Sequence, residues 1–101
     1  MSYFMYDVMG GTVDEPDPET MRRVLDGLAQ ADDEHPDVSL THESGWCLSA
    51  FCDGLLVWEN SDEDSVARGE IRDVAREETL RVFALLAAGD IASVEALAWQ
   101  R

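Results

Sequence analysis

The chain contains no lysine and only seven arginines against 22 Asp and Glu in 101 residues, so its formal charge is −15 at pH 7. A surface of that sign repels phosphate backbones and anionic lipid, which argues against direct binding to nucleic acid or to a membrane surface. Cysteine is scarce too. Cys47 and Cys52 form no CxxC pair and have no histidine at zinc-site spacing, so neither a metal site nor a disulfide framework is indicated. Five residues apart in an extended segment they point to opposite faces, and two free thiols suit a reducing cytoplasm. No apolar run approaches 18 residues, and the opening MSYFMYDVMGG lacks a basic stretch and is interrupted by Asp7. The sequence therefore predicts a cytoplasmic chain with neither membrane span nor leader peptide. GxGxxG, P-loop, HExxH and EF-hand patterns are all missing, and Asp62-Glu63-Asp64 lacks the alternating ligands and glycine of a calcium loop.

What is present suffices for folding. Hydrophobic residues make up 46% of the chain, near the globular average, and the length fits one domain over residues 1–101 with a single core. Tyr3 to Val8 is rich in β-formers and stops at Gly10-Gly11, which predicts a first strand. A helix follows near 18–30: Asp17 can cap it, Pro18 suits its first turn, and Met21, Val24, Leu25 and Leu28 make an amphipathic stripe.

From residue 38 the period becomes alternating, in VSLTH (38–42), WCLSAF (46–51) and LLVWE (55–59). The short glycine-bearing breaks Glu43-Ser44-Gly45 and Cys52-Asp53-Gly54 predict an antiparallel meander. Trp46, Leu48 and Ala50 should share one face, with Cys47, Ser49 and Phe51 on the other. Glu70 to Val74 reads as another short strand. Residues 76–88 read as a helix with Leu80, Phe83 and Leu85 or Leu86 inward, and Asp90 caps a last helix over 91–97. The predicted class is α+β, an antiparallel β-meander with helices packed on one face.

Catalytic patterns are weak. A triad could be assembled on paper from Ser44 or Ser49 with His42 and Asp53, but no nucleophile elbow accompanies it, and a hydrogen-bonding role for His42 at a strand end is the simpler expectation. Glu43 and Asp53 flank the two cysteines and disfavour a thiolate nucleophile. The sequence assigns no catalytic, cofactor or metal-binding residue and predicts a protein that is not an enzyme. Binding is the stronger theme. Residues 1–67 hold 16 acids and two arginines, net −14, whereas residues 68–101 hold six acids and five arginines, net −1. The unbalanced charge points to a basic protein partner, although solubility or a salt-adapted host accounts for acidity as well. The predicted partner-binding residues are Asp32, Asp33, Glu34 and Asp37 of the DDEHPD segment, Trp58 and Glu59 at a strand end, and Asp62, Glu63 and Asp64 of ENSDED. Trp58, like Trp46, has two readings, sheet-packing core or interface anchor.

The segment VSLTHESGWCLSAFCDGLLVWEN (38–60), followed by a helix and GDIASVEALAWQ (89–100), resembles the small immunity proteins of bacterial polymorphic toxin systems. More narrowly, it resembles actinobacterial members of the α+β family associated with nucleic-acid deaminase toxins. The residues that carry the likeness are Gly45 and Trp46 opening one strand, Gly54 before the next, and Trp58 with Glu59 at its end. The resemblance implies a cytoplasmic, non-catalytic inhibitor that covers the basic active-site surface of a cognate toxin. An acidic DNA mimic or adaptor for another basic protein, and a small ligand-binding or enzymatic domain of a salt-adapted host, stay open on the residues alone.

Overall fold

In the computed structural model, which describes residues 2–34, 36–60 and 69–100, the alternating segment is a meander of β3 (Asp37–His42), β4 (Trp46–Phe51) and β5 (Leu56–Asn60). The strand β1 (Tyr3–Tyr6) lies beside β3, flanked by β2 (Thr12–Asp14), and β6 (Gly69–Ile71) lies beside β5. The six form one antiparallel sheet in the order β2-β1-β3-β4-β5-β6. The helices are α1 (Pro18–Asp26), extended by a 3-10 turn over Gly27–Gln30, α2 (Arg76–Ala87) and α3 (Ile91–Glu95). The class is the α+β arrangement that the periodicity indicates.

Both turns of the meander use three residues with glycine last. Gly45 (φ 93°) donates its N–H to His42 O at 2.9 Å, and Gly54 (φ 88°) donates to Phe51 O at 3.2 Å. The left-handed backbone at these two positions suits glycine and joins strands whose twist a two-residue type I turn would splay. Helix α1 begins as predicted, with the Asp17 carboxylate accepting from the Thr20 N–H at 2.8 Å and Pro18 in the first turn.

The core forms where the helical stripes meet one face of the sheet. Met21, Val24, Leu25 and Leu28 from α1 and its 3-10 extension, Val82, Phe83 and Leu86 from α2, and Val94 from α3 cluster with Met5, Val38, Leu40, Leu48, Ala50, Leu56 and Trp58. The strand residues in that set are alternate positions, so all three helices cover a single face.

Four local expectations are corrected. β1 ends at Tyr6 rather than Val8, because Asp7 folds back: its carboxylate accepts from the N–H groups of Met9 at 3.0 Å and Gly11 at 2.8 Å. This turn delivers β2, which the sequence does not signal, because its one apolar residue, Val13, is too few to show alternation. In α2 the inward stripe is Thr79, Val82, Phe83 and Leu86, with Leu80 and Leu85 half-buried beside it. The last helix stops at Glu95, where Ala96 N–H and Leu97 N–H close onto Ala92 O and Val94 O.

At the two margins of the sheet, Glu70 exchanges both backbone hydrogen bonds with Gln100 outside β6, and β2 is followed by Glu15 at φ 43° and Pro16. Among the described residues no helix is long and apolar enough to cross a membrane.

Candidate functional site

Strand alternation separates the two central residues of the predicted surface. Trp58 faces the helices and has no exposed surface. Its ring stacks on Trp46 at 4.3 Å between centroids and on Trp99 at 5.8 Å, and its indole N–H donates to Glu95 Oε2 at 2.5 Å. Of the two readings of Trp58, the core one holds, and it is withdrawn from the partner-binding set. Glu59, next in sequence, points to the opposite face and is exposed.

Asp32, Asp33 and Glu34 do not share a sheet end with Glu59 either. Asp32, Asp33 and Glu34 are exposed at the end of the sheet that carries the β4–β5 turn, whereas β5 runs away from that turn and leaves Glu59 at the end carrying the β3–β4 turn. The two ends are separated by about 13 Å, four residues of extended chain. Asp62, Glu63 and Asp64 lie outside the described residues.

The face opposite the helices is built from the complementary alternate positions. One cross-strand row reads Asp14, Phe4, Thr41, Cys47, Glu59; the next reads Thr12, Tyr6, Ser39, Ser49, Val57, Glu70; a third pairs Asp37 with Phe51. Small side chains therefore floor the centre, over β3 and β4. Phe4 and Tyr6, in edge-to-face contact at 5.3 Å, lie along β1, whereas Val57 on β5 is buried although it belongs to this side of the sheet. No described helix lies on this face, and Tyr6 is 44% exposed there.

Most of the ion pairs lie in the helical layer: Arg22 pairs with Glu77 at 2.5 Å across α1 and α2, Arg76 with Asp26 at 3.1 Å, and Arg81 with Glu78, while Arg23 donates to the Thr20 hydroxyl at 3.3 Å. On the sheet side Arg72 pairs with Glu70 at 3.2 Å, and no described arginine pairs with Asp14, Asp37 or Glu59. Burial raises the Asp37 carboxyl above the ordinary aspartate range. Burial also pushes the Cys47 thiol up, which keeps it protonated and a poor nucleophile on this face.

Two cavities open at the ends of the bare face. One of about 370 Å³ at the β3–β4 turn end is lined by Phe4, Asp14, Glu15, Thr41, His42 and Glu43, with Ser2 and Tyr3. Another of about 360 Å³ at the opposite end is lined by Asp32, Asp33, Asp53 and Phe51, with Ala31, Pro36 and Cys52. Carboxylates dominate the polar lining of both. Sequence reasoning did not join Asp14, Glu15 and Glu43 to this surface, because nothing local to them signals that β2 and the β3–β4 turn come together.

The paper triad is not assembled. His42 is buried, and its Nδ1 accepts the Ser44 backbone N–H at 3.1 Å with the Ser44 hydroxyl 2.8 Å away. Nδ1 is thus the acceptor and Nε2 carries the hydrogen, and among the described residues no carboxylate orients the ring, since none of them partners Nε2. Asp53 lies at the far end of the sheet and Ser49 on the far face. His42 serves the turn, as a strand-end hydrogen bond. Among the described residues no group of three His, Cys, Asp or Glu side chains is placed to hold a metal ion. No protein family, curated protein or solved structure matches this chain.

Proposed function

We propose that this chain is a cytoplasmic, non-catalytic inhibitor that binds a basic protein through the bare face of its sheet, and that the partner is a nucleic-acid-targeting toxin of the deaminase type whose cationic site it covers. The observation that carries this reading is where the ion pairs fall. Arg22, Arg76 and Arg81 pair with acids of the helical layer, while the opposite face combines the partly exposed Phe4–Tyr6 pair with marginal carboxylates, and no described arginine pairs with Asp14, Asp37 or Glu59. A toxin that grips DNA or RNA needs a cationic groove, and a surface of this kind competes with phosphate for it. The identity of the toxin comes from the immunity-protein resemblance of segments 38–60 and 89–100; its basic character comes from the face itself.

The test is a titration of the chain against the purified toxin encoded beside it. Asp14→Arg combined with Glu59→Arg should weaken binding at least about tenfold, or about 1.4 kcal/mol, mostly through slower association that salt no longer modulates. The same double reversal at Glu77 and Glu78 on the helical layer should leave binding intact. Equal effects from both pairs would remove the bare face from the mechanism. Inhibition of a basic protein unrelated to nucleic acids, with no response to the toxin, would favour the adaptor reading.

A further inference from the structure

We infer that Asp53-Gly54, in the β4–β5 turn, is a site of spontaneous aspartate isomerisation, where the main chain becomes rerouted through the Asp53 side chain. The other Asp-Gly pair of the sequence, Asp26-Gly27, is shielded from the same reaction by the end of α1. Nothing in this chemistry depends on what the chain binds.

The reaction needs no partner beyond water. The Gly54 amide nitrogen attacks the Asp53 carboxyl carbon Cγ, a new C–N bond closes a succinimide ring, and the amide proton leaves with the carboxyl hydroxyl as water. Water then reopens the ring. Addition at Cγ restores aspartate. Addition at the main-chain carbonyl breaks the original Asp53–Gly54 peptide bond and leaves Gly54 joined through Cγ, as isoaspartate of unchanged mass and oxidation state.

Glycine leaves the attacking nitrogen without a neighbouring side chain, so both pairs are chemically competent and their folded surroundings decide between them. Asp53 is exposed, and its Oδ1 accepts the Leu55 N–H at 3.2 Å in a turn whose hydrogen-bonded ring runs through both Cγ and the Gly54 nitrogen. That ring folds the electrophile back over its nucleophile, a placement that favours intramolecular attack. The Gly54 N–H is lightly held, with Phe51 O 3.2 Å away, whereas Gly45 N in the sister turn is 2.9 Å from His42 O. No described arginine pairs with Asp53. The sister turn is exempt, because Ser44 stands where Asp53 does.

Asp26-Gly27 is fixed at each of these points. Asp26 has helical backbone (φ −62°, ψ −26°), the Gly27 N–H donates to the carbonyls of Arg23 and Val24, and the Asp26 carboxylate pairs with Arg76 at 3.1 Å. Ring closure there would break the helix end and the α1–α2 ion pair together.

At Asp53 the product has a structural consequence. Isoaspartate adds one carbon to the main chain inside a three-residue turn, between the bond from Phe51 N–H to Leu55 O at 3.0 Å and that from Val74 N–H to Gly54 O at 2.9 Å. Gly54 has no slack, since even a Cβ there would lie 3.2 Å from Val74 N. Isomerisation therefore loosens the joint between the β4–β5 hairpin and the segment leading into α2.

The experiment ages the full folded chain in mildly acidic buffer beside a sample unfolded in guanidinium chloride. Isoaspartate is counted by methyl transfer from labelled S-adenosylmethionine with an isoaspartyl carboxyl methyltransferase, and located by electron-transfer fragmentation. In the folded chain Asp53 should isomerise at least about tenfold faster than Asp26, and in the unfolded chain the two should agree within about twofold. The aged folded sample should gain a melting component at least about 4 °C below the parent. Asp53→Ser, which copies the sister turn, should abolish the folded-state signal and leave the melting temperature within a few degrees. Equal rates at the two aspartates in the folded chain would overturn the inference, as would isoaspartate at Asp53 that forms only after unfolding. Methyl acceptance undiminished in Asp53→Ser would place the site elsewhere and overturn it as well.

Discussion

Trp58 offers the sharpest check on the placement of the core. Its ring is fully buried between Trp46 and Trp99, and its N–H donates to Glu95 at 2.5 Å. Truncating a buried tryptophan to alanine typically costs about 3–5 kcal/mol. Two stacked neighbours, each contributing about 0.5–1.5 kcal/mol, put Trp58→Ala at the upper end of that range. A domain of this size has about 5–15 kcal/mol in total, and each kcal/mol corresponds to about 4–8 °C, so the variant should melt at least 15 °C lower or fail to fold at 37 °C. Trp58→Phe separates ring from hydrogen bond. It keeps most of the burial and loses the indole donor to a carboxylate, a loss of about 1.5–3 kcal/mol. Glu95→Ala removes the other partner, and a double-mutant cycle between the two should return a coupling of about 1 kcal/mol or more. Urea and thermal denaturation followed by circular dichroism measure the parent and all four variants. If Trp58→Ala melts within about 4 °C of the parent, or the cycle is additive within about 0.3 kcal/mol, the buried stack is not where the structure puts it.

Gly54→Ala should destabilise by more than about 1 kcal/mol in the same assay, because Gly54 sits at φ 88° and a Cβ there would lie 3.2 Å from Val74 N and 3.3 Å from Val74 O. Gly10→Ala, at φ 85° with open space around the new Cβ, should suffer only the backbone strain and lose less. Asp37 has its carboxyl pKa raised by burial, so the folded chain binds its proton more tightly than the unfolded one, and this residue's contribution falls as pH rises through the window just above the ordinary aspartate range. Asp37→Asn should flatten that part of the stability profile and raise the melting temperature at neutral pH; a steeper profile in the variant would contradict the assignment.

The meander and the capped first helix were legible because each rests on local chemistry: alternation over five or six residues, glycine at a left-handed turn position, and an aspartate placed to accept the Thr20 N–H. β2 was not, since a three-residue strand with Val13 alone facing the core carries no period, and its pairing depends on the Asp7 turn. Alternation placed Trp46 with Leu48 and Cys47 with Ser49 correctly, yet the same rule applied to β5 already separates Trp58 from Glu59. The acidic surface was drawn from composition along the chain, which has no direction. Opposing strand directions put the start of β3 and the last residues of β5 at different ends. A cavity that draws its lining residues from β1, β2 and the end of β3 together exists only in three dimensions.

The terminated rims of the sheet bear on how this molecule behaves at high concentration. Glu70 is already bonded on its outer side by Gln100, and beyond Asp14 the chain turns away through a left-handed Glu15 into Pro16, which has no amide hydrogen to offer. Neither rim presents a long row of unmet backbone groups of the kind that seeds fibrils or exchanges strands between copies. Two copies meeting through their bare sides would bring like charge against like, a mismatch that opposes self-association. The molecule can thus keep Tyr6 and the partly exposed Phe4 beside it open to solvent without offering an edge on which copies would polymerise.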